Sequence, residues 1–226
     1  AIMAIENSTA GSIIPNYALI DEYGINIVGE YYLQITHNLM VLKGQSIEDI
    51  KEVQSHPMAL LQCRDFFKDN ADIVLIEDKD TAMVAKKISE NKIKGLGAIA
   101  SDLASKIYGL DIINANIQTI KKNQTRFVIL QKKGSTKSLN FNKASVKFEL
   151  DHKRGSLAAI LNVLSDCKLN LTKIQSMPMI QTPWRYSFFV DVTFDKLKDY
   201  FKAKSIIEIM AKDFKVLGEY KNSKDD

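Results

Sequence analysis

Short apolar runs alternate with segments of helical spacing in the first half of the chain, and this alternation constrains the fold more than any other feature. Strands are predicted at residues 1–5, within 25–42, and at 73–76, 95–99 and 112–113. The alternation with helices involves the last three. Between the strands at 73–76 and 95–99, apolar residues recur at helical spacing over 82–88, and a second helix is predicted to end near Tyr108 and Gly109. Strands that alternate with helices of this length are typical of an α/β protein with a largely parallel sheet.

The pattern changes after a polar stretch that has few apolar residues and predicts a linker. Beyond it, strands are predicted at 145–150, 169–174, 186–194 and 214–217, and helices at 156–164 and 196–210. This βαββαβ order is that of a ferredoxin-like unit. The sequence therefore predicts a first domain over 1–131, a linker over 132–143, a second domain over 144–220 and a flexible tail over 221–226.

Composition excludes several classes of function. Hydrophobic residues make up 46% of the 226-residue chain and charged residues 26%, as in an ordinary soluble globular protein. The net charge of +4 comes from 31 basic and 27 acidic residues mixed along the chain, so no basic block predicts nucleic-acid or membrane binding. The longest apolar runs fall far short of the ~20 residues that a membrane span needs.

The few cysteines and histidines predict no disulfide and no metal site. Cys63 and Cys167 fall in predicted helices of different domains, which indicates a reducing cytoplasm. His37, His56 and His152 have no metal-ligand spacing with each other or with the cysteines, so we expect no metal.

A hydroxyl and a guanidinium stand side by side at the start of a predicted strand. Thr125 and Arg126 precede the apolar run 128–130, where they could hold a small anionic substrate. Alternatively, the threonine is present because it favours a β-strand, and the arginine faces solvent. Asn7 and Ser8 follow a predicted strand, where they could bind an anion or could simply cap the next helix, expected from about residue 13 to 23.

A second polar pair flanks the helix start at His56-Pro57. Ser55 is a plausible substrate contact there, and Gln62 could orient it or line the same site. His56 and His37 fit packing or hydrogen bonding better than a catalytic role.

Three stretches of the chain occur in an order that resembles a known family. They are Glu6-Asn7-Ser8 with Gly11-Ser12, Ser55-His56-Pro57 with Ala59-Leu60 and Gln62-Cys63, and Asn123-Gln124-Thr125-Arg126-Phe127. Together they resemble prephenate dehydratase, and the chain beyond residue 145 resembles the ACT regulatory domain that follows it. The resemblance implies a two-lobed, periplasmic-binding-protein-like catalytic domain with a cleft between the lobes. A family member would have a further strand and helix before residue 1, so we expect an N-terminally truncated chain.

The resemblance also implies a reaction without a cofactor, in which prephenate loses water and carbon dioxide to give phenylpyruvate. Thr125 would hydrogen-bond the departing hydroxyl, and Arg126 would bind a carboxylate through its fork of donors. The remaining substrate-binding residues would be Asn7, Ser8, Ser55, Gln62 and Phe127. Met58 stands where the family usually has Gln. Arogenate dehydratase and a non-catalytic binding protein remain alternatives.

The second domain would bind phenylalanine as an inhibitor. The implied binding residues are Gly155, Ser156 and Leu157 at a helix start, and Gln175, Ser176, Met177 and Pro178 further along. Gln175 and Met177 replace the usual Glu and Arg, which predicts weaker binding because an ion pair ordering the loop before Pro178 is lost. The exposed sheet edges of an ACT fold predict a homodimer or homotetramer.

Overall fold

The helices and strands lie close to most positions that the sequence pattern predicts. The computed structural model describes residues 1–132, 140–179, 182 and 185–224. The strands are β1 (Ile2–Asn7), β2 (Gly11–Ser12), β3 (Asn26–Gln34), β4 (Asn38–Val41), β5 (Glu52–Ser55), β6 (Val74–Glu77), β7 (Leu96–Ala100), β8 (Asp111–Asn114), β9 (Gln124–Gln131), β10 (Lys143–Glu149), β11 (Asn170–Pro178), β12 (Tyr186–Thr193) and β13 (Lys212–Tyr220). The helices are α1 (Ile14–Glu22), α2 (Pro57–Gln62), α3 (Arg64–Lys68), α4 (Thr81–Asn91), α5 (Asp102–Tyr108), α6 (Ser156–Asp166) and α7 (Leu197–Met210).

The chain divides into two compact units, each built from separate stretches of sequence. Unit 1 comprises residues 1–7, 11–33 and 125–226, and unit 2 comprises 8–10 and 34–124. Residues 133–139 of the predicted linker lie outside the described residues. The domain boundaries at 131 and 144 stay a prediction.

Unit 2 is a five-stranded sheet with helices, in the strand order β6-β5-β7-β4-β8. β5 runs parallel to β6 and β7, whereas β4 runs antiparallel to β7 and β8. The prediction of a largely parallel sheet is therefore wrong for half of these strand pairs. β4 is inserted between β7 and β8, which α5 joins by a helical crossover and which run in the same direction.

Two apolar clusters form the interior of unit 2. One contains Leu39, Val53 and Ile99, which are fully buried, and the other packs α4 residues such as Ile88 against Met40. No helix in the described part of the chain has both the length and the apolar character to cross a membrane.

Unit 1 contains an eight-stranded sheet in the order β11-β12-β10-β13-β3-β9-β1-β2. The elements β10-α6-β11-β12-α7-β13 form the predicted βαββαβ unit, and its strand order is that of a ferredoxin-like fold. Its core contains Phe148 and Tyr200, with Ile160 of α6 and Ile207 of α7 packed between sheet and helices.

The ferredoxin-like part continues into the first strands of the chain through one close backbone approach. Gly218 of β13 pairs in parallel with Ile27 of β3. A Cβ atom at Gly218 would lie 2.2 Å from the backbone oxygen of Ile27, so only glycine fits there. An apolar cluster that includes Ile5, Tyr17, Val128 and Phe189 then packs β1 and β9 with β12.

Candidate functional site

The hydroxyl of Thr125 lies beside the amide of Asn7 in unit 1. β1 and β9 run antiparallel, and Asn7 is the direct register partner of Thr125. Asn7 Nδ2 donates a hydrogen bond to Thr125 Oγ1 over 3.0 Å. Because the threonine oxygen is the acceptor in this bond, its hydroxyl proton points away from Asn7 Nδ2. The pair therefore offers a hydrogen-bond donor whose oxygen is held in place.

Neither Asn7 nor Ser8 caps a helix, so that alternative is wrong. β1 pairs with β2 instead, and α1 begins only at Ile14. Within unit 2, Ser8 N donates to the carbonyl of Gln124 over 2.8 Å, and Ser8 Oγ accepts from Gln124 N over 2.9 Å. The side chain of Ser8 thus fixes a turn.

A closed set of hydrogen bonds surrounds Gln62 at the end of α2, and we call it the Gln62 network. Gln62 Oε1 accepts from Asn123 Nδ2 over 2.9 Å and lies 2.8 Å from His37 Nε2. Gln62 Nε2 donates to Thr9 Oγ1 over 2.9 Å, and Thr9 Oγ1 donates to Asn123 Oδ1 over 3.3 Å. The network joins four segments that are distant in the chain, those of Thr9, His37, Gln62 and Asn123.

His37 is a neutral member of this network. Its exposed fraction is 7%, and this burial lowers the pKa of the imidazole although the bond to Gln62 acts in the opposite direction. Because Gln62 Oε1 can only accept, Nε2 is the ring nitrogen that carries the proton. His37 serves the network as a hydrogen-bond donor, as the sequence predicted for a non-catalytic histidine.

The Gln62 network faces a cavity of about 580 Å³ in unit 2. Its lining residues are Thr9, Met58, Leu61, Gln62, Arg64, Asp65, Lys68, Thr119, Ile120 and Asn123. Volumes of this size accommodate small-molecule ligands. The cavity thus has amide and hydroxyl groups on one side and apolar side chains beside them.

Charged side chains of α3 stand at the same cavity. Lys68 Nζ lies 2.5 Å from Asp65 Oδ1, and the hydrogen bond from this ammonium lowers the pKa of Asp65. Arg64 adds a second positive charge. The sequence did not identify Thr9, Arg64 or Lys68 as residues of this cavity. Arg64 and Lys68 are four residues apart on the helix after Gln62, and this spacing indicates two positive charges on one helix face.

Ser55 and His56 have local structural roles. Ser55 is fully buried at the end of β5, and its hydroxyl donates to the carbonyl of Ile99 over 2.7 Å. Ser55 is not among the residues that line the cavity, so substrate binding by Ser55 stays a prediction that this geometry does not support. His56 Nδ1 accepts from Met58 N over 3.2 Å and so caps α2.

Arg126 is buried in unit 1, and its guanidinium contacts protein groups rather than a cavity open to substrate. Its exposed fraction is 4%. Nε donates to Glu30 over 2.7 Å, Nη1 donates to Asp191, and Nη2 donates to the hydroxyl of Tyr220 over 2.9 Å. We therefore do not retain Arg126 as a substrate ligand. Phe127, its neighbour, is partly buried opposite Ala4.

Two of the predicted effector residues line a smaller cavity in unit 1. This cavity of about 140 Å³ is lined by Leu150, Asp151, His152, Lys153, Ser156, Leu157, Arg185, Tyr186 and Phe188. Gly155 is the N-cap residue of α6 and has a φ of 85°, a conformation that favours glycine.

The other predicted effector residues lie on β11 and do not line that cavity. Gln175, Ser176, Met177 and Pro178 are the last four residues of the strand, where the sequence analysis expected a loop before Pro178. Met177 packs against the apolar cluster of Ile5 and Tyr17. A role of residues 175–178 in effector binding stays a prediction.

A family model described as "Prephenate dehydratase" matches residues 1–135. The chain belongs to the prephenate dehydratase family. A relative from Arabidopsis thaliana, "Arogenate dehydratase/prephenate dehydratase 2, chloroplastic", is 36% identical over 97% of this chain and 60% of that protein. The "Prephenate dehydratase" of Methanocaldococcus jannaschii is 38% identical over 87% of this chain and 72% of that protein. The chain thus spans about three fifths of the length of the Arabidopsis relative.

Solved structures share the fold of this prephenate dehydratase family member. The prephenate dehydratase of Staphylococcus aureus has a TM-score of 0.82 and 27% identity, with 97% of this chain and 81% of that chain covered. A structure described as "GqqA- a novel type of quorum quenching acylases" has a TM-score of 0.88 and 26% identity over 100% of this chain and 83% of that chain. The Arthrobacter aurescens prephenate dehydratase in complex with L-Phe has a TM-score of 0.88 and 23% identity over 100% of this chain and 76% of that chain, which shows the fold alone.

Proposed function

We propose that this chain dehydrates prephenate to phenylpyruvate with loss of carbon dioxide. The observation that carries the proposal is the Asn7–Thr125 pair, which lies in the part of the chain that matches the family. The ring carboxylate leaves as carbon dioxide, and its bonding electrons make the ring aromatic. The hydroxyl departs across the ring and takes up a proton to leave as water. Such a reaction needs oriented donors more than a nucleophile.

Thr125 would serve this step as a hydrogen-bond donor to the departing oxygen. Its own oxygen accepts from Asn7 over 3.0 Å, and this bond directs the threonine proton away from Asn7. A threonine hydroxyl is too weak an acid to lose its proton entirely, so it stabilises the developing negative charge by hydrogen bonding. Asn7 would fix the rotamer of Thr125 without touching the reacting atoms.

The decisive experiment compares three proteins in a prephenate assay that measures phenylpyruvate absorbance after alkaline treatment. Thr125→Val keeps the shape and removes the hydroxyl, so kcat should fall by about 100-fold or more, as when a transition-state hydrogen bond is lost. Thr125→Ser keeps the hydroxyl and should retain most of the rate. A Thr125→Val protein with the kcat of the unmodified protein would refute the role of Thr125.

Arogenate is the second candidate substrate, because the Arabidopsis relative carries both names. Arogenate has an amino group where prephenate has a keto group, and its product is phenylalanine. Parallel assays with both substrates separate the two activities. A folded protein that converts neither substrate would refute the proposed function.

Phenylalanine is the proposed effector, with the cavity beside Ser156 and Leu157 as its site. The support is the family resemblance of Gly155 to Leu157 and the position of Ser156 and Leu157 in the lining of this cavity. Backbone N–H groups at the start of α6 suit a carboxylate. A homo-oligomer, either a dimer or a tetramer, and a location in the cytoplasm remain predictions from the sequence.

A further inference from the structure

A register pair of opposite charge lies next to the Asn7–Thr125 pair within unit 1, and a second one lies on β11 and β12. In the register of β1 and β9, Glu6 and Arg126 are partners, and they form the step next to Asn7 and Thr125. In the register of β11 and β12, Lys173 and Asp191 are partners. Each of these two register pairs, Glu6 with Arg126 and Lys173 with Asp191, therefore has one acidic and one basic residue.

Two ion pairs connect one register pair to the other. Lys173 Nζ lies 2.7 Å from Glu6 Oε1, and Arg126 Nη1 pairs with Asp191. Arg126 Nη1 also lies 3.9 Å from Glu6 Oε2. We call these four residues the charge quartet. It links both strands that carry the Asn7–Thr125 pair to β11 and β12 of the ferredoxin-like part.

Burial makes the Arg126 side of the quartet rigid. Arg126 and Asp191 are 4% and 5% exposed, and Ser145 Oγ donates to Asp191 Oδ1 over 2.5 Å. Burial by itself lowers the pKa of Arg126, but Asp191, Tyr220 and Glu30 raise it overall, so the guanidinium stays charged. A buried and fully bonded ion pair has one favourable geometry, because any displacement leaves charges without partners.

The backbone ladder between β1 and β9 is short at this end. The register between β1 and β9 shifts between Ala4 and Glu6, so the residue between them interrupts the pairing. Only the Glu6 and Asn7 pairs follow before the chain turns at Ser8, whose N–H donates to the carbonyl of Gln124. On the other side of β1, the same two residues pair with β2. A bulge disrupts the local ladder, and side-chain ion pairs add to the few backbone pairs that join β1 to β9 here.

We infer that the charge quartet is a positioning device for Thr125. The inference rests on the proposed function, in which the Thr125 hydroxyl contacts the substrate. Successive residues of a strand point to opposite faces, so Arg126 and Glu6 act on Thr125 and Asn7 through the backbone. By fixing the last two steps of the ladder, the quartet keeps the threonine oxygen 3.0 Å from Asn7 Nδ2. A misplacement of about 1 Å can cost about 100-fold in rate.

Lys173 is the residue to change first. Lys173→Met keeps the length of the side chain and removes its charge, and Glu6, which is partly exposed, can then turn to solvent. We expect kcat with prephenate to fall by about 10-fold to 100-fold while KM stays within about 2-fold. Lys173→Arg preserves the charge and should restore kcat.

Lys147 provides a matched control in the same unit. Its side chain is 8% exposed, and its Nζ lies 2.8 Å from Asp21 Oδ2 and 2.7 Å from Asp213 Oδ2, outside the β1–β9 pairing. Lys147→Met should lower the stability of the protein but leave kcat unchanged. Equal effects of Lys173→Met and Lys147→Met on kcat, or no effect of Lys173→Met, would overturn the inference.

A double variant distinguishes positioning from a general loss of structure. If the quartet acts through the Thr125 hydroxyl, Lys173→Met should lower the rate little further in a Thr125→Val background. If Lys173→Met lowers kcat by the same factor in the Thr125→Val protein as in the unmodified protein, the inference is overturned.

Hydrogen exchange provides a measure that does not depend on turnover. Backbone amides of residues 125–127 should exchange faster in Lys173→Met than in Lys147→Met. If neither the unmodified protein nor its variants convert prephenate or arogenate, the proposed function fails. The difference in hydrogen exchange then decides alone whether the quartet fixes β9. Equal exchange in the two variants would then overturn the inference.

Discussion

Replacing Gln62 by Glu should reverse the pH response of His37. His37 Nε2 lies 2.8 Å from Gln62 Oε1 and is 7% exposed, and burial lowers its pKa below the ordinary value of 6.5. The Gln62→Glu change puts a carboxylate at the position of a neutral amide of nearly the same shape. An opposite charge at hydrogen-bond distance favours the protonated imidazole.

The size of this effect follows from the geometry. Two unit charges about 4 Å apart attract by about 4 kcal/mol at the effective dielectric constant of a protein surface. Gln62 lines an open cavity, so solvent screening could halve this attraction to about 2 kcal/mol. Because about 1.4 kcal/mol changes a protonation constant 10-fold, even the screened value outweighs a moderate burial penalty. We expect the pKa of His37 to lie above 6.5 in the variant.

The sign of the change in stability differs between the two proteins. In the unmodified protein the folded state binds the His37 proton more weakly than the unfolded state, so the free energy of unfolding falls as the pH drops below about 6.5. In Gln62→Glu the folded state binds it more strongly. The contribution of His37 is then fully present below about 6.5 and is lost as the pH rises through the folded pKa. Because only one proton is involved, the free energy of unfolding changes by at most about 1.4 kcal/mol per pH unit in either protein.

NMR titration of the histidine ring protons measures the pKa directly, and urea unfolding between about pH 5 and 8 measures the slope. His152→Gln is the control. It should leave the titration of His37 unchanged, because His152 is exposed and lies in the other unit. The reasoning about the Gln62 network would be refuted by a His37 resonance that titrates at the same pH in both proteins.

Three further predictions concern single side chains. Arg126→Leu should lower the free energy of unfolding by about 3–5 kcal/mol, because Asp191 would stay buried without its ion-pair partner while Glu30 keeps only Lys143, and unchanged urea unfolding would contradict this. Burial raises the pKa of Cys63 to about 12, so a thiol reagent should label Cys63 only as the protein unfolds, and rapid labelling of the native protein would show that the thiol is accessible. Leu157→Ala should weaken the binding of phenylalanine in calorimetric titration, because Leu157 lines the smaller cavity of unit 1, and an unchanged isotherm would exclude that cavity as the effector site.

Sequence periodicity predicted most elements but missed those with few apolar residues. The predicted helix at 196–210 corresponds to α7, Leu197–Met210, because the apolar side chains that it buries recur along one face. β5 was missed because Val53 is the only apolar residue in Glu52–Ser55. β5 lies inside the sheet because it pairs with two later strands, β6 and β7. Strand length and burial there depend on those neighbours rather than on local propensity.

The sequence alone determined the α/β and ferredoxin-like elements, the family, and the position of Thr125 at the start of β9. These depend on local spacing of apolar residues and on short motifs. Only the tertiary structure decided that Arg126 binds Glu30 and Asp191, which are 96 and 65 residues away, and that Gln62 joins His37, Thr9 and Asn123. An exposed arginine and a buried one look the same in a sequence, because burial and hydrogen-bond partners are set by which distant strands pack together.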